Sequence, residues 1–292
     1  MSVELFAKDD AINLFKSQRI LMFGDSNMRA LYKDLIWLTR YGTLIPNEKL
    51  RAKNEDSFSG DKRLSEGVLT ASRNYVEIRE YKREFHLHYE FITRIYTKKF
   101  EDFIESLKVP PNFIIMNSCV WDLSRWGPNG IQDYKANVDK TLHLLRNKFP
   151  KTCIVFTTTL PISLKARGGF LTENVQFLNA VLPFSIVEAN NYVAKCCRKY
   201  DIDLIDLHYY MQYQIDSLVM DGIHWDPAAI RFINNIIFTN LCQKVGKQLP
   251  NNIAIHRKCN TKENERKEIA KNEIKPKIEQ NYYNRYDFTT CN

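Results

Sequence analysis

The sequence predicts an α/β protein built around a mainly parallel sheet. An apolar run from Ile20 to Phe23 ends in Gly24-Asp25-Ser26 and passes at once into residues with helical spacing. Two further apolar runs, 113–116 and 153–156, alternate with amphipathic stretches. Short unbroken apolar runs suit strands buried on both faces, and strand–helix alternation implies right-handed crossovers between parallel neighbours. At 292 residues and 44% hydrophobic, the chain can bury one sizeable core.

Residues 3–18 read as an amphipathic lead-in helix carrying Leu5, Ile12 and Phe15. After the first strand, Met28, Leu31, Leu35 and Leu38 recur at helical spacing, and Gly42 supplies a stop. Residues 43–72 are polar and contain Gly60 and Gly67, the pattern of a long loop bordering a functional site. Two β-like runs, 75–81 and 85–92, form either a hairpin or one sheet strand with an unattached neighbour. A short helix over 98–107 and the strand 113–116 follow. Tyr134, Val138, Leu142, Leu145 and Phe149 mark a helix closed by Pro150. Beyond the strand 153–156, residues 161–172 read as a mobile loop, and 173–199 as a helix broken at Pro183. Residues 202–207 form the last strand. Asp226 and Pro227 are the N-cap and first residue of a helix burying Ile230, Ile233, Ile237 and Leu241. Residues 1–249 read as one domain, and the Lys-, Glu-, Asn- and Arg-rich stretch 250–292 as a charged tail, partly disordered or helical.

Composition narrows the function classes. The net charge of +8 arises from 42 basic and 34 acidic residues, a mild excess. No zinc-ligand spacing or glycine-flanked aromatic motif accompanies it, so no nucleic-acid partner is expected. No apolar run reaches the eighteen or so residues of a membrane span. Residues 1–16 carry no signal-like apolar segment, and the seven cysteines are odd in number and lack C-x-x-C spacing. A cytoplasmic or nuclear location with reduced thiols is therefore expected. His86 and His88 share a strand face, but no partner is spaced to join them, so neither a metal nor a cofactor is expected.

The chemistry gathers at two short motifs. Ser26 sits on a strand-to-helix turn at the carboxyl end of a strand, where open α/β sheets place their ligands. A serine nucleophile needs a base within hydrogen-bond reach and a third group to orient the base. Asp221 and His224, three residues apart just before the last helix, can share one loop on that side of the sheet. The alternative is that Asp221-Gly222 forms a turn and His224 is incidental. Asp122 is the rival acid and His208, after the last strand, the rival base. Asp25 is suited to shaping the turn through local backbone bonds. Arg29, one helical turn past Ser26, suits either an anionic substrate group or a structural ion pair. Trp121 and Trp225 suit either the pocket lining or packed core.

Three blocks together carry a family resemblance: Gly24-Asp25-Ser26-Asn27-Met28-Arg29, Asn117 through Arg125, and Asp221-Gly222-Ile223-His224-Trp225-Asp226. Over roughly residues 15–248 the chain resembles the PC-esterase family of the SGNH (GDSL-type) hydrolase superfamily. The resemblance implies a flavodoxin-like three-layer α/β/α sandwich with about five parallel strands. It implies Ser26 as nucleophile, His224 as general base and Asp221 as its orienting acid. The implied oxyanion hole is the Ser26 N–H, a glycine N–H, for which Gly67 is favoured over Gly60, and the Asn117 side chain. Met116-Asn117-Ser118 lacks the glycine of the usual superfamily G-x-N-D block. The expected activity is hydrolysis of O-acyl esters, O-acetyl esters among them, on a small molecule or glycan. A catalytically silent binding protein and an O-acyltransferase are the alternatives.

Overall fold

The computed structural model describes residues 5–66 and 72–250. Gly67 lies outside the described residues, as does nearly all of the expected tail. The elements in chain order are α1 (Lys8–Phe15), β1 (Arg19–Gly24), α2 (Ser26–Tyr41), α3 (Asn47–Arg51), β2 (Lys62–Arg63), β3 (Ile78–Lys82) and β4 (His86–Phe91). Then come α4 (Lys98–Ser106), β5 (Phe113–Met116), α5 (Val120–Arg125), α6 (Gly130–Lys148) and β6 (Cys153–Thr157). The chain continues through α7 (Leu182–Lys199), β7 (Asp203–Ile205), α8 (Leu207–Met211) and α9 (Pro227–Lys244).

The seven strands form one sheet in the order β2-β3-β4-β1-β5-β6-β7. Five of them, from β4 to β7 in that order, are mutually parallel. The hairpin β3–β4 is antiparallel, and β2 pairs antiparallel with β3. Both β-like runs therefore join the sheet, which the antiparallel pair extends to seven strands. Helices cover the two faces: α1, α2 and α9 pack together in one layer, and α4, α5, α6 and α7 in the other. On the first layer's side, Phe15 brings its ring edge to Phe238 at 5.1 Å and to Phe113 at 6.1 Å, tying two helices to the sheet.

Some elements depart from the sequence reading. The stretch 43–72 contains α3 and β2, both too short to leave a periodic signal. Residues 173–180 form a 3₁₀ helix, and the break falls at Val181, with Pro183 in the first turn of α7 where its missing N–H costs nothing. The loop 161–172 is anchored: the Ser163 amide donates to Gly222 O at 2.8 Å and the Arg167 amide to Asp221 O at 2.8 Å. Among the described residues no helix is long and apolar enough to cross a membrane, and the five described cysteines are free thiols.

Register sets where function can lie. Phe23 aligns with Met116, Met116 with Phe156, and Thr157 with Ile205, so the carboxyl ends of the parallel strands form one edge. The segments leaving that edge include 25–29, 117–122 and 158–163.

Candidate active site

Ser26 owes its position to the junction between β1 and α2. Asp25 is the N-cap of α2, its carboxylate accepting from the Asn27 amide at 2.8 Å. Burial pushes the Asp25 carboxyl up, while the Asn27 amide and the neighbouring His224 pull against that rise. Gly24 matters for close approach: a Cβ there would meet Met28 Cβ at 2.6 Å and Asn117 O at 3.1 Å. The first turn of α2 can thus lie directly on the end of β1.

The loop before α9 supplies the other two groups. Gly222 has φ +73°, and a Cβ there would meet Ser163 Cβ at 2.7 Å, so glycine is required twice over. The turn folds the Asp221 carboxylate back on its own chain. Oδ1 accepts from the amides of Ile223 at 2.9 Å and His224 at 3.0 Å, and Oδ2 lies 2.6 Å from His224 Nδ1. Burial alone would raise the Asp221 carboxyl, but the His224 ring and these two amides outweigh it and hold the group well below the usual carboxylate range. An ionised Asp221 accepts the Nδ1 proton, leaving Nε2 as an acceptor. His224 Nε2 lies 2.7 Å from Ser26 Oγ.

Several bonds hold this loop in register. Val219 N donates to His224 O at 2.8 Å, Asp226 N to Ser217 O at 2.9 Å, and Arg51 Nη2 to Trp225 O at 2.5 Å. Asn27 Nδ2 donates to Ile223 O at 3.3 Å, joining the serine's helix directly to the histidine's loop. Neither Asn27 nor Arg51 is singled out by sequence reasoning. Asn27 lies beside Ser26 in the first motif, but its partner is 196 positions away.

The remaining expected site residues are distributed differently. Asn117 follows β5 at the same edge and donates from Nδ2 to Thr157 O at 2.6 Å. Arg29 is turned inward, its Nη1 bonded to Glu77 at 2.7 Å and to the Tyr75 hydroxyl at 2.9 Å. Its place is a buried ion pair, because Glu77 on the approach to β3 offers a fully buried carboxylate that only a cation can compensate. Trp225 is fully buried. It bridges to Leu218 in extended backbone, where neighbouring side chains point to opposite faces, so exposing His224 sends Trp225 into the core. Trp121 also packs inward, edge-on to Phe91 at 6.0 Å. Of the rivals, Asp122 is buried and accepts from Ser118 Oγ and, at 3.0 Å, from the Ile95 amide. His208 Nδ1 bonds to Thr159 O at 2.9 Å. Neither is joined to Ser26. Among the described residues no cluster of His, Cys, Asp or Glu could hold a metal ion.

A parallel α/β sheet with a Ser-His-Asp chain at its carboxyl edge is an arrangement suited to acyl transfer. The chain belongs to the GDSL-like lipase/acylhydrolase family, whose profile matches residues 20–237. It is similar to PC-esterase domain-containing protein 1A of Mus musculus, 32% identical over 255 residues that cover 84% of this chain and 57% of that one. PC-esterase domain-containing protein 1B of Homo sapiens is 31% identical over 255 residues, covering 84% of this chain and 59% of its own. The chain thus spans less than two thirds of the length of these relatives. A carbohydrate esterase family 3 protein from Talaromyces cellulolyticus superposes over 78% of this chain and 97% of its own, with a TM-score of 0.49 and 13% identity.

Proposed function

We propose that this protein is a serine-dependent acyl esterase acting on O-acyl esters, O-acetyl esters among them, of a small molecule or glycan. The observation that carries this reading is the unbroken chain from Ser26 Oγ through His224 to Asp221, with links of 2.7 and 2.6 Å. Family membership supports ester hydrolysis as the reaction class.

Ser26 Oγ attacks the ester carbonyl carbon as its proton passes to His224 Nε2. Asp221 holds the ring in the tautomer that leaves Nε2 free and stabilises the imidazolium. Negative charge then builds on the former carbonyl oxygen. The Ser26 amide at the start of α2 is the donor assigned to it, worth about 3 kcal/mol when preorganised, and Asn117 joins it in this reading by turning one Nδ2 N–H away from Thr159 Oγ1, which lies 3.5 Å from it. The alcohol leaves with the proton from His224. Water then attacks the acyl-Ser26 ester with His224 again as base, releasing the acid and restoring Ser26.

The test is covalent labelling by a fluorophosphonate probe with the adduct mapped by peptide mass spectrometry. A stoichiometric adduct on Ser26 that is absent from folded Ser26→Ala and His224→Ala variants is expected. Equal labelling of Ser26→Ala, or an unlabelled Ser26 in the folded protein, would overturn the assignment.

A further inference from the structure

Lys33 is fully buried and Arg51 half-buried, and the proposed chemistry uses neither charge. Lys33 lies on α2, two helical turns beyond Ser26. The three N–H donors of its ammonium go to Lys49 O at 3.1 Å, to Ala52 O and to the Glu55 carboxylate. Lys49 and Ala52 bracket Arg51, the last residue of α3. Arg51 in turn donates from Nη2 to Trp225 O at 2.5 Å, on the residue that follows His224. We infer that Lys33 and Arg51 are positioning residues for His224, tying the histidine's loop through α3 to the same helix that carries Ser26. The inference rests on the reading of Ser26 as nucleophile and His224 as its base.

The contacts close a ring. From Ser26 the path runs along α2 to Lys33, across to Arg51, on to Trp225 and His224, and back to Ser26 Oγ at 2.7 Å. The link in the middle is itself fixed. Leu50 anchors α3 in the core, and the buried Arg79 of β3 donates to Glu55 O at 2.8 Å, just beyond Ala52. A shift of α3 is therefore resisted from both the helix and the sheet, and Arg51 reaches the loop from a fixed base. Alignment of this kind matters because a misplacement of about 1 Å between reacting groups can lower a rate by about 100-fold.

Electrostatics argue in the same direction. An apolar chain of similar size in place of a buried charge is often neutral or favourable for stability, so packing alone does not call for a lysine at this point of α2. Burial pulls the Lys33 ammonium down to about 8, with Glu55 opposing. What the ammonium supplies, and an apolar chain cannot, is a hold on two main-chain carbonyls at once. Burial likewise lowers Arg51, while the charges of Asp221 and Asp226 work against that fall. Those carboxylates lie on either side of His224 in the chain, so charge as well as a hydrogen bond draws the guanidinium to the histidine's loop.

The experiment measures kcat and KM for 4-nitrophenyl acetate, the rate of fluorophosphonate labelling at Ser26, and the thermal midpoint. It compares wild type with Arg51→Ala, Arg51→Lys, Lys33→Met and the Arg51→Ala/Lys33→Met double variant. Arg51→Ala should lower kcat and the labelling rate by about tenfold with KM little changed. Arg51→Lys, which keeps one charged donor, should recover most of that loss. Lys33→Met should match Arg51→Ala, and the double variant should be no slower than the slower single one, because both residues act through one path. Wild-type kcat and labelling in folded Arg51→Ala would overturn the inference, as would losses that multiply in the double variant. Should Lys33→Met not fold, the Arg51 variants decide alone: a loss of kcat that Arg51→Lys restores supports the inference, and a lowered thermal midpoint with unchanged kcat overturns it. If Ser26→Ala is folded, unlabelled and inactive while Arg51→Ala matches wild type, the positioning role fails and the nucleophile assignment stands. A wild type that takes no label and turns over no ester removes both.

Discussion

Asn27 Nδ2 donates to the main-chain carbonyl of Ile223 at 3.3 Å, one residue away from Ser26 at one end and from His224 at the other. Ser26 and His224 come from opposite ends of the domain, and their 2.7 Å contact requires two separate elements to dock within a fraction of an ångström. The Asn27 bond is a second tie across the same joint, and it acts on the backbone that carries the imidazole.

Asn27→Ala should therefore harm catalysis more than stability. One neutral hydrogen bond is worth about 1 kcal/mol, a shift of a few degrees in thermal midpoint. Loosening the Ser26–His224 alignment should lower kcat by about tenfold or more with KM little changed. Steady-state kinetics and thermal unfolding on the same preparation check both numbers. A drop in stability alone would show that the bond only braces the fold.

Arg29 makes the opposite prediction. Its guanidinium is committed to Glu77 and Tyr75 in the interior, and Glu77 is also bonded to Arg79 at 2.7 Å. Arg29→Ala leaves a buried carboxylate short of one partner and should cost about 3 kcal/mol in urea unfolding. Burial works to raise the Glu77 carboxyl, but Arg29 and Arg79 together bring it below its ordinary value. A depressed folded value contributes stability above the unfolded pKa that is lost as pH falls through the folded one. Arg29→Ala should therefore flatten the acid limb of the stability curve. A raised KM with unchanged stability would mean that Arg29 binds substrate.

The contrast between these residues shows what the sequence can disclose. The β1–Gly24–α2 unit and the Asp221–His224 loop are legible because each is contiguous, and each places a reactive side chain beside a strand end or helix start. Gly24 is recognisable as special, though its role is close approach by Met28 and Asn117 O rather than a sharp turn alone. Arg29 is ambiguous because its partner lies 48 residues away, with no local pattern announcing it. Trp225 looks like a rim residue only until the extended backbone beside Leu218 turns its side chain opposite to that of His224. The hairpin β3–β4 is readable as strands, but attachment of both to the sheet depends on long-range pairing that periodicity does not encode.

His88 offers a test of the fold away from the site. It lies on β4, buried to 8% exposure and stacked on Phe103 with ring centroids 5.1 Å apart. Burial pushes its imidazole down to about 4, with Glu80 opposing and His86, Arg19 and Lys82 assisting. The folded value is depressed below the unfolded value of about 6.5, so its contribution is complete above 6.5 and is lost as pH falls towards 4. The full loss is about 3 kcal/mol. His88→Phe keeps the stacking area and should remove that part of the pH dependence. Urea titrations of both proteins between pH 4 and 7.5 would show it, and parallel curves would refute it.

Asp122 and Asp221 make the sharpest pair, since both are carboxylates near the carboxyl edge and only one is bonded to His224. Asp221 is held well below the usual range by the His224 ring and two amides after offsetting its burial. Asp122 is pushed by burial up to about 7, with Ser118 and the Ile95 amide opposing. Its folded value is raised, so its contribution is present below the unfolded pKa near 3.8 and lost as pH rises through 7. Asp122→Asn keeps an acceptor for Ile95 and removes a carboxyl that must ionise in the interior. It should be no less stable than wild type at pH 8, by about 1 kcal/mol or more in its favour, and should retain esterase activity. Asp221→Asn should lower stability at pH 8, where the depressed Asp221 carboxyl makes its full contribution, and lower kcat by about 100-fold or more, because an amide no longer holds the His224 tautomer or stabilises the imidazolium. Unfolding and ester hydrolysis measured on both variants at pH 8 separate the roles, and loss of activity in Asp122→Asn with Asp221→Asn active would reverse them.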